Sequence, residues 1–269
     1  MTRLTLLITT LLLIASASIT AQNTDESYRL IFQDEFNGKN GSQPDDRYWT
    51  RTRRGPSTWD KNFSQIERTG EIRNGKLVLR GLPNRYDPDD NALLLTGGFK
   101  TQDKFAFQYG KVEVRLKTRN RIGNFPAVWL MPQPPCDGWP TGGEIDIFET
   151  IDQRNTSYHT IHTSRYDGQK TNDNHQQKGF TKTLRTDKWH IYGIEWTPTY
   201  ITFFVDGEAV GTYQKSDNPD ELAAGQWPFD KAFYIIVNQA VGDGTWAQPA
   251  DVHTKFQTQI DWIRVWKKE

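Results

Sequence analysis

Trp189-His190-Ile191-Tyr192-Gly193-Ile194-Glu195-Trp196 places Tyr192, Ile194 and Trp196 at every second position, and after Thr197-Pro198-Thr199 the run Tyr200-Ile201-Thr202-Phe203-Phe204-Val205 does the same with Ile201, Phe203 and Val205. Asp206-Gly207 then turns the chain into a third run, residues 208–213. A period of two sends successive side chains to opposite faces of a strand, and Asp-Gly suits the tight hairpin turn because its central residues need positive φ. This segment therefore predicts consecutive antiparallel strands. Residues 77–79, 110–116, 158–163 and 260–266 read the same way. Residues 127–131 and 233–237 are continuous apolar runs, the pattern of central strands covered on both faces, and Pro126 fits the start of the first. No 3.6-residue period is sustained, and residues 218–224 are the one short helix expected. At least nine short strands with Gly- and Pro-rich turns, and no internal repeat or linker, predict one all-β domain, a jelly-roll β-sandwich of two antiparallel sheets.

The chain has 269 residues, with 33 Lys+Arg against 33 Asp+Glu. Arg3, an apolar run over residues 6–14 and small residues ending near Ala21-Gln22 have the layout of a secretory signal peptide, with Ala15-Ser16-Ala17 as an alternative cleavage box. The expected organisation is a signal peptide over residues 1–21 and one domain over 22–269. The apolar run is too short to span a bilayer, and no later segment is apolar enough to do so. The neutral balance argues against a nucleic-acid partner, which calls for a basic face. Cys136 is the only cysteine, so neither an intrachain disulfide nor a multi-cysteine zinc site can form. The expected product is an exported soluble protein at the cell surface, in the periplasm or outside, and a monomer. Ten Trp and ten Tyr exceed what a core alone usually requires, and aromatic faces are platforms for sugar rings as well as core filling.

Gly142-Gly143-Glu144-Ile145-Asp146-Ile147-Phe148-Glu149 carries the chemistry. Glu144 and Asp146 share a strand face, whereas Glu149 would face the other way unless one β-bulge within Ile147-Phe148 returned it. With that bulge the two glutamates are spaced like i and i+4, about 13 Å apart at Cα. If both side chains lean inward, about 5 Å separates the carboxyl groups, the distance of a retaining glycosidase. A solvated acidic face and a divalent-cation site are the competing readings. Three repelling acids on one face make the first a poor use of charge.

Glu144-Ile145-Asp146-Ile147-Phe148-Glu149 resembles the bulged E-x-D-x-x-E signature of glycoside hydrolase family 16. The resemblance continues in order along the chain. It takes in Phe32-Gln33-Asp34-Glu35-Phe36-Asn37-Gly38, Tyr109-Gly110-Lys111-Val112-Glu113-Val114-Arg115, Phe125-Pro126-Ala127-Val128-Trp129-Leu130-Met131-Pro132, Gly138-Trp139-Pro140 and Thr160-Ile161-His162. It also takes in Tyr192-Gly193-Ile194-Glu195-Trp196, Trp227-Pro228-Phe229-Asp230 and Asp261-Trp262-Ile263-Arg264-Val265-Trp266. It implies a jelly roll with an open substrate cleft that cuts β-linked polysaccharides internally with retention. By it, Glu144 is the nucleophile, Glu149 the general acid/base and Asp146 the residue between them. Trp129 and Trp139 are expected at the sugar, and His162 near the leaving group. Glu35 and Asp261 match positions where relatives hold a structural calcium, although two carboxylates do not define such a site. Catalysis itself is expected to need no cofactor.

Other candidates rest on the residues alone. The amides of Asn238 and Gln239, ending a buried strand, suit sugar hydroxyls or backbone groups alike. His159 and His162 point to opposite faces, which argues against a shared metal and for a structural His159. Arg47, Arg51, Arg53 and Arg54 read as a solvated loop or, if they border the cleft, as a reader of sulfated or sialylated glycans. The expected substrate is β-1,3-glucan or mixed-linkage β-1,3/1,4-glucan. The alternative is an endo-β-galactosidase cutting poly-lactosamine-type or mucin O-glycans, favoured by the flanks His159 and Thr163 and by the stretch 165–182. A non-catalytic glycan-binding protein is the remaining class, and the carboxylate triad counts against it.

Overall fold

A computed structural model describes residues 28–168 and 178–269. The expected signal peptide and part of the 165–182 stretch lie outside the described residues. Two antiparallel sheets stack face to face. The outer sheet runs in the order Glu208–Gln214, Tyr200–Val205, His190–Trp196, Gly110–Thr118, Phe256–Lys268, Leu77–Pro83, Gly70–Ile72. Tyr28–Asp34 also pairs with Phe256–Lys268. The inner sheet runs Gly179–Thr183, Thr156–His162, Glu144–Glu149, Asn124–Pro132, Phe233–Val241, Gly97–Lys100, Thr50–Arg51. The Trp189–Tyr213 segment forms the expected hairpins, and Pro219–Ala223 is the short helix, with Asn218 capping it through Asp220 N–H. Among the described residues no helix is long and apolar enough to cross a membrane.

Alternation fills the space between the sheets. Val114, Ile194, Phe203 and Ile263 of the outer sheet join Leu130, Ile145, Ile161 and Val237 of the inner sheet in one buried cluster. Each such side chain contributes roughly 1.5–3 kcal/mol by leaving water. Asn124–Pro132 and Phe233–Val241 are covered on both faces, as their continuous apolar runs predict. Pro126 lies inside its strand rather than at its start, opposite Gln239.

The second face of the inner sheet is the floor of a cleft, and its register sets out cross-strand rows. One row is Thr160, Asp146, Trp129, Ile236 and Lys100. The next is Tyr158, Glu149, Ala127, Asn238 and Gly98. Asn238 faces this floor, so Gln239 must face the interior, and it does. Its Nε2 donates to Asn124 Oδ1 at 2.9 Å, and its Oε1 accepts from Thr258 Oγ1 at 2.7 Å. The expectation that Gln239 binds substrate is therefore corrected. Its amide satisfies buried polar groups between the sheets, where an unpaired amide would be costly.

Candidate active site

The Glu144–Glu149 strand departs from regular register between Asp146 and Phe148. Gly143, just before it, has φ +86, and a Cβ there would lie 2.7 Å from Pro228 Cγ. Ile147 and Phe148 are both buried in the core, so two consecutive side chains point inward and Glu149 returns to the face of Glu144 and Asp146. This is the expected β-bulge. His159 braces it from beneath. Its Nδ1 is 2.7 Å from Ile147 O and its Nε2 is 3.0 Å from Ser157 Oγ. The carbonyl can only accept, so Nδ1 carries the proton and Ser157 donates to Nε2. Burial lowers the pKa of His159 to about 4, which keeps the ring neutral.

Glu144, Asp146 and Glu149 line one cavity of about 500 Å³ with Trp59, Trp129, Trp139 and Asn238. Burial pushes the pKa of Glu149 up to about 7, helped by the negative charge of Glu144 and opposed by His162. Burial also raises Glu144 and Asp146, which are hydrogen-bonded to each other. Such a pair titrates as a unit and shares a proton. His162, opposite Glu144 in the register, sits between two acids. Nε2 is 3.2 Å from Asp146 Oδ2 and Nδ1 is 3.2 Å from Asp167 Oδ1. Burial alone would lower its pKa, but the carboxylates of Asp146, Asp167 and Glu144 hold it up at about 11. Burial would raise Asp167, yet His162 and Lys178 hold it at about 2. Ligand atoms of Glu144, Asp146 and His162 lie within 4.8 Å of one another, the geometry of the cation-site alternative. A cation bound there would have to displace the proton that His162 holds between its two acids.

Trp139 is 56% exposed, with its ring 6.0 Å from that of His162. Trp129 is buried in the cleft floor, and its Nε1 donates to Asn238 Oδ1 at 2.7 Å. Asn238 Nδ2 is buried without a partner, leaving a donor for a ligand hydroxyl. The structure thus gathers six of the expected site residues (Glu144, Asp146, Glu149, Trp129, Trp139 and Asn238) around one cavity, with His162 beside them. Sequence reading missed Trp59, whose ring stands edge-on to Trp129 at 4.7 Å, and Asp167. Trp59 comes from a loop with no periodic pattern, and its only sequence signal is being an aromatic between strand runs.

Glu35 and Asp261 do not fit the calcium ion expected of them. Both oxygens of Glu35 accept from Arg264, at 2.8 and 3.1 Å. Asp261 is paired with Arg115 and stands 3.5 Å from Lys76. Carboxylates neutralised by cations are not free to supply part of the 6–8 oxygen ligands that calcium takes.

The family model for glycosyl hydrolases family 16 matches residues 60–264. The keratan-sulfate endo-1,4-beta-galactosidase of Sphingobacterium multivorum is 36% identical over 251 residues. That match covers 92% of this chain, which spans only 57% of the length of that relative. The beta-glucanase of Rhodothermus marinus is 30% identical, covering 95% of this chain and 91% of its own. A solved non-specific endo-beta-1,3(4)-glucanase of family 16 superposes with a TM-score of 0.77 at 29% identity, covering 91% of this chain and 92% of its own. With the bulged carboxylate strand in place on a two-sheet sandwich, these matches decide the family: the chain belongs to glycosyl hydrolases family 16.

Proposed function

We propose that the protein is a retaining endo-β-glycosidase, acting as a monomer outside the cytoplasm after loss of residues 1–21. The observation that carries this reading is the bulge, which puts Glu144 and Glu149 on one cleft face with different electrostatic surroundings. Glu149, at about pKa 7, keeps a proton near neutral pH and gives it to the departing glycosidic oxygen. Glu144 attacks the anomeric carbon. The proton that Glu144 shares with Asp146 must pass to Asp146 as the bond forms, leaving Glu144 anionic beside the positive charge of His162. The resulting glycosyl-enzyme ester is cleaved by water, from which Glu149 now removes the proton.

For substrate we favour β-galactosidic bonds within poly-lactosamine-type chains, including those of mucin O-glycans. The support is the keratan-sulfate relative, at 36% identity over nearly all of this chain. β-1,3-Glucan or mixed-linkage glucan is the second reading, favoured by the glucanase relative and the superposed glucanase. Product analysis with residues 22–269 on poly-lactosamine, mucin O-glycans, laminarin and barley mixed-linkage glucan separates the two. Galactose-terminated fragments with intact glucans are the expected outcome. Glucan oligosaccharides alone reverse the order of the readings, and silence on all four substrates leaves a glycan-binding protein.

A further inference from the structure

Beyond Trp129, away from His162, the cleft continues into a groove of about 540 Å³ that shares Trp59, Trp129 and Met131 with the catalytic cavity. Most of its charged side chains are cations. Arg51, Arg53, Lys100 and Lys104 line it against the carboxylates Asp60 and Asp103. The two carboxylates are engaged: Asp60 accepts from Ser57 N–H at 2.9 Å and Asp103 from Gln133 Nε2 at 2.5 Å.

The four cations divide into two kinds. Arg51 is built into the fold, donating to Gln43, Thr69 and the carbonyl of Gly70. Lys104 donates to the carbonyls of Asp46 and Trp49. Arg53 is exposed, and among the described residues the Lys100 ammonium donates only to the neutral Gln102 amide oxygen, at 2.5 Å. None of the four is in a salt bridge among the described residues, whereas their neighbours Arg47 and Arg54 are neutralised by Asp45 and Asp90.

Lys100 stands in the cross-strand row that contains Thr160 and Asp146. Three strand spacings separate it from Asp146, or about 14 Å. A glycan lying across the strands from the carboxylates therefore reaches it within a short oligosaccharide. At the cleavage point the carboxylates are offset by shared protons and by His162, whereas the far end carries cations that attract an anionic sugar.

We propose that this end of the cleft is an anion-binding subsite in which Arg53 and Lys100 hold a sulfate ester carried by a sugar several units from the cleaved bond. A guanidinium and an ammonium that have no carboxylate partner among the described residues can form charge-assisted hydrogen bonds to sulfate oxygens. A sulfate ester stays ionised at any working pH and can sit on an internal sugar, as an open cleft requires. A sialic acid carboxylate offers the same charge but caps a chain.

The inference rests on the endo-glycosidase reading, and the experiment keeps the two apart. Rates are measured for wild type, Arg53→Ala, Lys100→Gln and the double variant on sulfated poly-lactosamine, its chemically desulfated form and a sialylated form. Melting temperatures check that each variant folds, and Arg53→Ala, in an exposed loop, serves if changes at Lys100 impair folding. Wild type is expected to favour the sulfated chain in kcat/KM, mostly through KM, and the preference is expected to fall about tenfold in the double variant. It should also shrink as salt is raised. Equal wild-type rates on sulfated and desulfated chains, or a preference untouched by the variants, overturn the subsite and leave the endo-glycosidase reading standing. A variant-sensitive preference for the sialylated chain overturns sulfate as the ligand. No cleavage of any galactose-containing chain defeats the galactosidase reading and this subsite with it.

Discussion

His162 Nε2 stands 3.2 Å from Asp146 Oδ2 in a pocket where Asp146 is almost wholly buried. The imidazole is anchored on its other side by Asp167, which is itself paired with Lys178 at 2.5 Å. The catalytic carboxylates therefore work beside a fixed cation that is part of a chain of alternating charges. His162 lowers the pKa of Glu144, Asp146 and Glu149 alike. It offsets part of the cost of keeping three acids in one cavity.

Replacing His162 with Gln removes that cation, so all three carboxylates should hold protons to higher pH. The acidic limb of kcat/KM is expected to move up in pH, with a loss of about tenfold or more at pH 6. A pH–rate profile decides the matter. An unmoved acidic limb with a uniformly lower rate would mean that His162 acts only by contact.

Glu149→Gln trades activity for stability. Turnover on a natural glycan should fall by about 10²–10⁴. In the folded protein Glu149 titrates at about 7, against an ordinary value of 4.5, so the folded state binds more protons than the unfolded state between those values. Its contribution is full below pH 4.5 and is lost as pH rises through 7. The amide does not titrate, so the variant should be more stable than wild type at pH 8, by about 1–3 kcal/mol, and lose that advantage by pH 4. Denaturant melts at the two pH values test this, and a gap that does not depend on pH would contradict it.

How much of this was legible in sequence follows from how local each feature is. The strands, the hairpins and the bulge are written in runs of fewer than ten residues, where the period of side chains speaks directly. The phase of a strand that is apolar throughout is not readable that way, so Asn238 and Gln239 looked alike until pairing set one toward the cleft and the other toward Asn124. The partners of Glu35 and Asp261 lie 229 and 146 residues away in the chain, and no local pattern announces them. Asp167 was hidden for a different reason: it lies close to His162 in the chain, but the short helical turn that folds it back has no periodic pattern.

His159 links the core to the catalytic strand. His159→Leu leaves the Ile147 carbonyl without its partner, a cost of about 1–3 kcal/mol, and loosens the bulge that aims Glu149. The same variant has a pH signature. Burial holds the histidine at about 4, against 6.5 in the open, so the unfolded state binds more protons in that window. The stability that His159 contributes above pH 6.5 is therefore lost as pH falls through 4. Urea midpoints at pH 7 and pH 4.5 should differ less in the leucine variant than in wild type. Equal pH dependence in both proteins would show that the histidine is not held neutral.

Trp129 and Trp139 are both tryptophans of the cleft, but their surroundings assign them different costs. Trp139 projects into solvent beside His162, so Trp139→Ala should leave the melting temperature within error and raise KM. Trp129 is buried and hydrogen-bonded to Asn238. Phenylalanine there keeps an aromatic ring but orphans Asn238 Oδ1, whose Nδ2 already lacks a protein partner. With both ends of the amide unheld it can turn over, and the donor offered to the sugar is lost. Trp129→Phe should therefore cost about 1–3 kcal/mol of stability and raise KM as well. Thermal melts with substrate titrations on the two variants check the pair. A Trp129→Phe protein as stable as wild type would show that the indole bond does not hold the amide.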